Sequence, residues 1–338
     1  MSRTWMIAIA LVGLVAQSAA AQDAKTVLAN ASRALGADSL TSITYYGSGA
    51  NFNLGQSNNS NGAWPRVNLS DFRRSIDFRA PASRATGVTF TIPIQGGPAV
   101  QGLFQQNVTP ANTAWAQHLE IWTTPWGFVK GAAVNNATSR VQTVGGTRYN
   151  VVTWVTPQKA PSGVAYRVVG YVNAQTNLVD RVDTWVENPI FGDLQVETYY
   201  TQYREAEKGL MFPSTIVQRR AGWPTFEAQL LSAVANPANI QELLTPPPPP
   251  AGGPGGAGAG PQAPPALTSE KLAEGVYRIG GGYNALAVEF ADHIFLWEGG
   301  AQNEARAQAV FAEAKRLIPN KPIKYAAISH HHFDHTSG

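Results

Sequence analysis

The sequence predicts an α+β protein in which one amino-terminal helix is followed by a curved antiparallel β-sheet. Three features lead to this prediction. Apolar residues at helical spacing follow Asp23, short β-prone runs separated by turn residues continue as far as Leu231, and a stretch rich in proline and glycine begins at Pro246. Beyond that stretch, a shorter segment combines further β-prone runs, a helical pattern and a cluster of histidines.

Two helices are predicted in the first part of the chain. Asp23 is a typical N-cap and Gly36 a typical residue at which a helix ends. Between them, apolar residues recur with the spacing of one helical face: Ala24, Val27, Leu28, Ala31 and Leu35. A short helix over 126–134 is predicted because Thr124 and Pro125 have the order of an N-cap followed by proline in the first turn.

The sheet is predicted from nine β-prone runs, which are Ile43 to Tyr46, Arg73 to Phe78, Val88 to Ile92, Arg148 to Thr156, Tyr166 to Asn173, Leu178 to Glu187, Val196 to Arg204, Met211 to Gln218 and Thr225 to Leu231. Their spacing favours an antiparallel meander. Val182 and Thr184 alternate with Arg181 and Asp183, so one face should pack and the other should meet water. The tryptophans are interpreted as core: Trp115, Trp122, Trp126, Trp154 and Trp185.

The composition limits the classes of protein to which the chain can belong. The 338 residues are 44% hydrophobic and 14% charged, which permits two domains that each have a core. The net charge of +3 comes from 25 basic and 22 acidic residues without a basic block, so nucleic acid is not an expected partner. The lack of cysteine excludes disulfides and thiolate metal ligands.

Residues 1–21 have the organisation of a secretory signal peptide. Arg3 gives a positive start, an apolar core runs from Met6 to Ala16, and small residues for cleavage end at Ala21. The alternative is an uncleaved anchor, but the apolar run is too short to span a bilayer comfortably, so no stable membrane insertion is expected after cleavage. The mature protein is therefore predicted to be periplasmic or secreted.

We divide the remaining chain into a β-rich domain over residues 22–245, a linker over 246–266 and a second domain over 267–338. The linker begins with five prolines, which should be extended, and continues with glycines, which should be flexible. The alternative function for the polyproline run is to bind a proline-recognition module.

The last nine residues contain the pattern HxHxDH, filled by His330, His332, Asp334 and His335. These residues follow an apolar run over 325–328 and therefore lie in a loop at the end of a predicted strand. Neutral imidazole and carboxylate both suit zinc, whose bound water ionises near neutral pH to a strong nucleophile. The alternatives are a purification tag and an exposed polar tract, but Phe333 and Asp334 interrupt the histidines, unlike in a tag.

The segment from Gly275 to Gly338 resembles the opening of a metallo-β-lactamase-fold hydrolase in the order of its elements and in this motif. The resemblance implies an incomplete αββα domain and two zinc ions, the first bound by His330 and His332 and the second by Asp334 and His335. It also implies that Asp334 is catalytic and orients a metal-bound hydroxide. This hydroxide would attack an ester, thioester, lactam or related bond in a small-molecule substrate.

Two positions depart from the pattern of that family. Ser337 replaces the first of two closing glycines, and Glu298 stands where an aspartate is usual. The chain also ends before the remaining ligands of the family, so we expect it to have little or no hydrolase activity by itself.

The order of elements in the first domain, one helix and then a long curved sheet, resembles periplasmic lipoprotein-carrier folds. In those folds the hollow of the sheet holds an acyl chain or another apolar ligand. The resemblance implies a second hypothesis, in which the chain is a periplasmic carrier or binding protein for an apolar ligand. The alternative for this domain is a purely structural or positioning role.

Overall fold

The computed structural model describes residues 23–53, 64–92, 98–110, 115–188, 192–247, 266–330, 333–336 and 338. The predicted signal peptide, most of the predicted linker and His332 lie outside these residues. The chain divides into two compact units, Met1–Pro246 and Pro247–Gly338, and each is described by itself. The predicted α+β class with a curved antiparallel sheet is confirmed.

The described part of the first unit contains one eleven-stranded sheet and four α-helices. The strands are β1 (Ser42–Phe52), β2 (Arg66–Asp77), β3 (Ala82–Thr91), β4 (Val100–Val108), β5 (Thr138–Val144), β6 (Thr147–Val155), β7 (Arg167–Asn173), β8 (Val179–Asn188), β9 (Gly192–Glu205), β10 (Met211–Arg220) and β11 (Trp223–Ala235). The helices are α1 (Ala24–Leu35), α2 (Trp115–Trp122), α3 (Pro125–Val134) and α4 (Ile240–Leu244), with a 3₁₀ turn at Glu207–Gly209.

The strand order is β4-β3-β2-β1-β11-β10-β9-β8-β7-β6-β5, and all neighbouring strands are antiparallel. Strand β1 pairs with both β2 and β11 and thereby joins the meander β1–β4 to the meander β5–β11. Helices α1 and α2 both contact α3, and all three share one hydrophobic core with the sheet. None of the helices in the described ranges is long and apolar enough to cross a bilayer.

Helix α1 forms where the sequence predicts it, with both of its predicted caps. The Asp23 Oδ1 atom accepts a hydrogen bond from the Thr26 backbone N–H at 3.1 Å, and Gly36 ends the helix at φ 64°. The apolar face is buried in the core through Val27, Leu28, Ala31 and Leu35. Helix α3 is likewise confirmed, since Thr124 Oγ1 accepts from the Gly127 N–H at 3.1 Å.

Helix α3 contacts the sheet at a position where only glycine makes the contact sterically allowed. A Cβ atom at Gly170 of β7 would lie only 2.2 Å from the ring of Phe128 on α3. The Phe128 ring therefore occupies the volume that any other side chain would need, and both residues lie in the buried core.

The curvature of the sheet has local causes in β1 and β2. The β2–β3 register shifts between Ser70 and Arg73, where Asp71 has φ 51°, so β2 carries a bulge that bends the strand and increases its twist. On β1, a Cβ atom at Gly47 would lie 2.0 Å from the carbonyl oxygen of Gln229 on β11. The close approach of β1 and β11 therefore requires glycine at this position.

Some expectations for the first unit are wrong. Strands β4 and β5 and helix α2 are not among the predicted elements. Asp183 does not meet water but is 3% exposed, because the Arg181 guanidinium covers its carboxylate with hydrogen bonds of 2.6 and 2.7 Å. Trp185 is only half-buried and stacks under Arg167, whose Cζ lies 4.5 Å from the indole centroid, so it is not a core residue.

The second unit contains one five-stranded sheet in the order β12-β13-β14-β15-β16, in which only β15 and β16 are parallel. Its elements are β12 (Thr268–Ala273), β13 (Val276–Gly280), β14 (Ala285–Glu289), β15 (Ile294–Trp297), α5 (Glu304–Leu317), β16 (Ile323–Ala327) and α6 (Phe333–Thr336). Asn303 caps α5, and Val310 and Ala314 pack against the sheet. The described residues of the second unit form a single sheet, and they show no αββα sandwich.

Candidate functional site

The described part of the predicted motif lies at the end of the second unit. The ring centroids of His330 and His335 are 4.1 Å apart, and His335 Nε2 lies 3.5 Å from Asp334 Oδ2. The Tyr283 hydroxyl donates to the same Asp334 oxygen at 3.0 Å. The structure therefore brings His330, Asp334 and His335 into one region, whereas His332 lies outside the described residues.

Glu298 is part of this region, although the sequence indicates it only as a departure from a family pattern. Its Oε2 atom lies 2.7 Å from His335 Nδ1, and its Oε1 atom accepts a hydrogen bond from the Ser329 backbone N–H. Burial raises the pKa of the Glu298 carboxyl, but the bonds from Ser329 and His335 outweigh this effect and lower it below its usual range.

A different site lies in the first unit, where the resemblance to carrier folds implies a hollow without indicating the residues that line it. It is a hollow of about 390 Å³ between the inner face of the sheet and α2. We call it the sheet hollow. Its lining comes from β1 to β4, α2, β10 and β11: Asn51, Phe52, Phe72, Arg74, Ala85, Phe104, Gln105, Gln106, Glu120, Gln218, Arg220, Thr225 and Phe226. This volume is in the range of small-molecule sites.

Strand pairing arranges this lining in rows. Arg74 of β2, Ala85 of β3 and Gln106 of β4 lie opposite one another across the sheet. Phe72 and Phe104 precede Arg74 and Gln106 by two residues, so the alternation of strand side chains puts them on the same face. Small Ala85 therefore lies between the two longer polar side chains in that row.

The apolar wall of the sheet hollow consists of three phenylalanine rings. The centroid of Phe72 lies 5.4 Å from that of Phe226 and 6.5 Å from that of Phe104. Phe72 is buried, whereas the other two rings are partly buried and form the exposed part of the wall. Such a wall favours the burial of apolar ligand surface.

The polar wall consists of Glu120 on α2 between two arginines. Glu120 Oε2 lies 3.8 Å from Arg74 Nη2, and Glu120 Oε1 lies 3.7 Å from Arg220 Nη2. Gln106 Nε2 donates to Glu120 Oε2 at 3.1 Å. Burial lowers the pKa of Arg74, but nearby Tyr45 and Glu120 more than offset this effect and raise it above its ordinary value. Arginine stays protonated in folded proteins, so Arg74 carries a positive charge.

A larger groove of about 850 Å³ lies between α1 and α3, but its lining has a different character. It is formed mainly by alanines and other small or aliphatic side chains, and no aromatic ring from the described residues lines it. The Nζ atom of Lys130 is engaged by the carbonyl oxygen of Ala37 at 3.0 Å. The sheet hollow, which combines rings with converging polar groups, is the better candidate for a binding site.

Neither a protein-family model nor a curated protein sequence matches the chain. The solved structures similar to it include the following two. One is a domain from Vibrio parahaemolyticus provisionally described as an outer membrane lipoprotein-sorting protein, with 8% identity, a TM-score of 0.36, and coverage of 65% of this chain and 98% of that chain. The other is a DUF1329 family protein from Desulfovibrio piger, with 10% identity, a TM-score of 0.37, and coverage of 63% and 92%.

These comparisons agree in part with the resemblances inferred from the sequence. The first structure is of the lipoprotein-sorting kind expected for the β-rich domain, whereas nothing found shows a metallo-β-lactamase fold. TM-scores below 0.5 carry no argument about ligand or activity.

The prediction of a metal-dependent hydrolase is wrong. The described residues contain no group of three His, Cys, Asp or Glu side chains arranged to hold a metal ion. His335 faces Glu298 through Nδ1 at 2.7 Å and Asp334 through Nε2 at 3.5 Å. The assignment of zinc ligands to the complete set, which includes His332, stays a prediction.

Proposed function

We propose that this chain is an extracytoplasmic binding or carrier protein for an apolar ligand, and that the sheet hollow is its binding site. The observation that carries the proposal is the wall of Phe72, Phe104 and Phe226 around a hollow of about 390 Å³. An apolar ligand gains about 25 cal/mol for each Å² of apolar surface removed from water.

The lining residues of the sheet hollow are carried by paired strands and by a packed helix, which suits ligand binding. Phe104 belongs to β4, which pairs with β3 without interruption. Phe72 lies at the bulge of β2 and pairs with Gly47 of β1. Helix α2 contributes Glu120, and Leu119 and Ile121 of the same helix are buried in the core. Residues held by a sheet and by a packed helix lose little further freedom when a ligand binds.

The proposed location outside the cytoplasm is supported by the sequence of residues 1–21, which has the organisation of a secretory signal peptide. A periplasmic or secreted protein that sequesters an apolar molecule would carry it through water. Cell fractionation with intact-mass analysis tests this part: the mature protein should begin at Gln22 and appear in the periplasm or medium, and recovery of only the uncleaved chain in the cytosol would contradict it.

The binding proposal is tested with N-phenyl-1-naphthylamine, a neutral apolar dye that fluoresces strongly in apolar surroundings. We expect saturable binding to the full chain and a loss of affinity of about tenfold in Phe104→Ala, since truncation of a ring in the wall removes apolar contact. The matched control is Leu103→Ala on the same strand, because Leu103 is 76% exposed and lies on the opposite face. Absent binding, or equal loss in both variants, would contradict the proposal.

A further inference from the structure

We infer that the ligand of the sheet hollow is an anionic amphiphile, with an apolar tail and a carboxylate or phosphate head held by Arg74 and Arg220. This inference rests on the proposed function and specifies the class of its ligand. The tail would contact the wall of Phe72, Phe104 and Phe226, and the head would lie beside Glu120.

The first argument is that both arginines have unused hydrogen-bond donors. Arg74 Nη2 and Arg220 Nε are buried, and neither has a hydrogen-bond partner within the described part of the chain. Buried polar groups in native proteins are nearly always hydrogen-bonded, so two such groups at one hollow require an explanation. A bound acceptor between them would supply the missing bonds.

The second argument is that Glu120 does not satisfy these donors. Its Oε2 atom lies 3.8 Å from Arg74 Nη2, which is too far for a hydrogen bond. Its Oε1 atom approaches Arg220 at Nη2, at 3.7 Å, and not at the unpartnered Nε. One of these oxygens already accepts from Gln106. The carboxylate therefore attracts the two guanidinium groups electrostatically and leaves their donors available to a ligand.

The third argument is charge. The charged side chains among the lining residues are Arg74, Arg220 and Glu120, so the sheet hollow carries a net charge of +1. A positive charge removed from water is costly when it is not compensated, and an anionic head would compensate it. Guanidinium groups bind both carboxylate and phosphate in a fork geometry. The structure therefore indicates a negatively charged head, and the experiment below distinguishes carboxylate from phosphate.

The fourth argument is the arrangement of the two walls. On β2, Phe72 and Arg74 are separated by one residue, and on β4, Phe104 and Gln106 are separated in the same way. Both strands thus present a ring followed by a polar side chain on the same face of the sheet. An amphiphile that lies along these strands would contact rings with its tail and polar groups with its head.

The test is displacement of N-phenyl-1-naphthylamine from the full chain by four ligands with the same twelve-carbon tail, each below its critical micelle concentration. The ligands are dodecanol, laurate, dodecyl phosphate and dodecyltrimethylammonium. At neutral pH we expect laurate or dodecyl phosphate to bind at least tenfold more tightly than dodecanol, and the cation to bind most weakly. The better of the two anions identifies the head group.

The variant Arg220→Gln should reduce the preference for the anion over dodecanol to less than threefold. Arg148→Gln, at an exposed position on β6, is the control and should keep the preference. The four ligands are compared in the unchanged protein. A folding defect in Arg220→Gln would therefore not prevent the test. If the dye binds but laurate, dodecyl phosphate and dodecanol displace it with equal affinity, this inference alone is overturned. If the dye does not bind, the proposed function is overturned.

Discussion

Arg74 Nη2 and Glu120 Oε2 lie 3.8 Å apart at the sheet hollow and form an ion pair without a hydrogen bond. Arg220 approaches the other oxygen of the same carboxylate in the same manner, at 3.7 Å. A pair that served only stability would be expected to close to a hydrogen-bonded distance, because the bond compensates the loss of water. The open geometry is consistent with a site whose donors face a ligand.

The first prediction concerns Glu120→Gln, which removes the one carboxylate among the described lining residues. The net charge of the lining changes from +1 to +2, so laurate should bind severalfold more tightly. The unliganded protein should become less stable by about 1–3 kcal/mol, because the two arginines lose their counter-charge. Denaturant unfolding with and without laurate measures both effects, and weaker laurate binding would count against the account.

The second prediction concerns Gly170→Ala. The new methyl group would meet the Phe128 ring, so the substitution should destabilise the first unit by about 1–3 kcal/mol. Phe128→Leu provides the internal control, since the smaller side chain vacates that volume. The double variant should be less destabilised than the sum of the two single variants, as measured by chemical denaturation. Strict additivity would show that the two residues do not compete for space.

The third prediction concerns Arg181, which forms hydrogen bonds to Asp183 and lies 4.9 Å from the ring of Tyr171 and 5.1 Å from the ring of Tyr199. Arg181→Lys should cost about 1–3 kcal/mol in unfolding free energy, because lysine has neither the fork of donors nor the planar group. Arg140→Lys, at an exposed position on β5, should change stability by less than about 0.5 kcal/mol. Equal effects would contradict this assignment.

The fourth prediction is a pH dependence in the second unit. Hydrogen bonds from Arg316 and from Ser269 on β12 lower the pKa of Glu313 on α5 to about 2 from its ordinary 4.5. A depressed acid pKa stabilises the fold above pH 4.5, and this contribution is lost as the pH falls from 4.5 towards 2. We expect about 1 kcal/mol, since Arg316 is largely exposed.

Hydrogen exchange of the full chain, corrected for intrinsic rates, measures this effect in peptides from β12 and α5. Their protection should decline over that pH window in the unchanged protein. In Glu313→Gln it should be lower at neutral pH and should decline less over the same window. The same slope in both proteins would show that another group titrates.

Local signals in the sequence were sufficient for α1 and α3. Asp23, Gly36 and Thr124 form caps within one helical turn, so a short stretch of sequence contains the relevant chemistry. Strand β4 was missed because its sequence, VQGLFQQNV, is rich in Gln, Asn and Gly, which favour strands weakly. It forms a strand because β3 pairs along its whole length.

A hollow in the sheet is implied by the resemblance to carrier folds, but the residues that line it could not be predicted because long-range pairing assembles them. Phe72, Glu120 and Phe226 come from distant parts of the sequence. The bulge at Asp71 also interrupts the alternation on β2, so Leu69 and Phe72 are both buried although three positions apart. The metal motif shows the opposite limitation: the spacing of His330, Asp334 and His335 suits a metal site, but spacing does not specify the contacts that the folded side chains make.

The most direct measurement of the central claim is photoaffinity labelling of the full chain with a laurate analogue that carries a diazirine near the end of its tail. Peptide mapping should locate the label on β2, β4 or β11, in peptides that contain Phe72, Phe104 or Phe226, and excess laurate should prevent it. Labelling confined to the groove between α1 and α3, or to the second unit, would contradict the claim that the sheet hollow is the binding site.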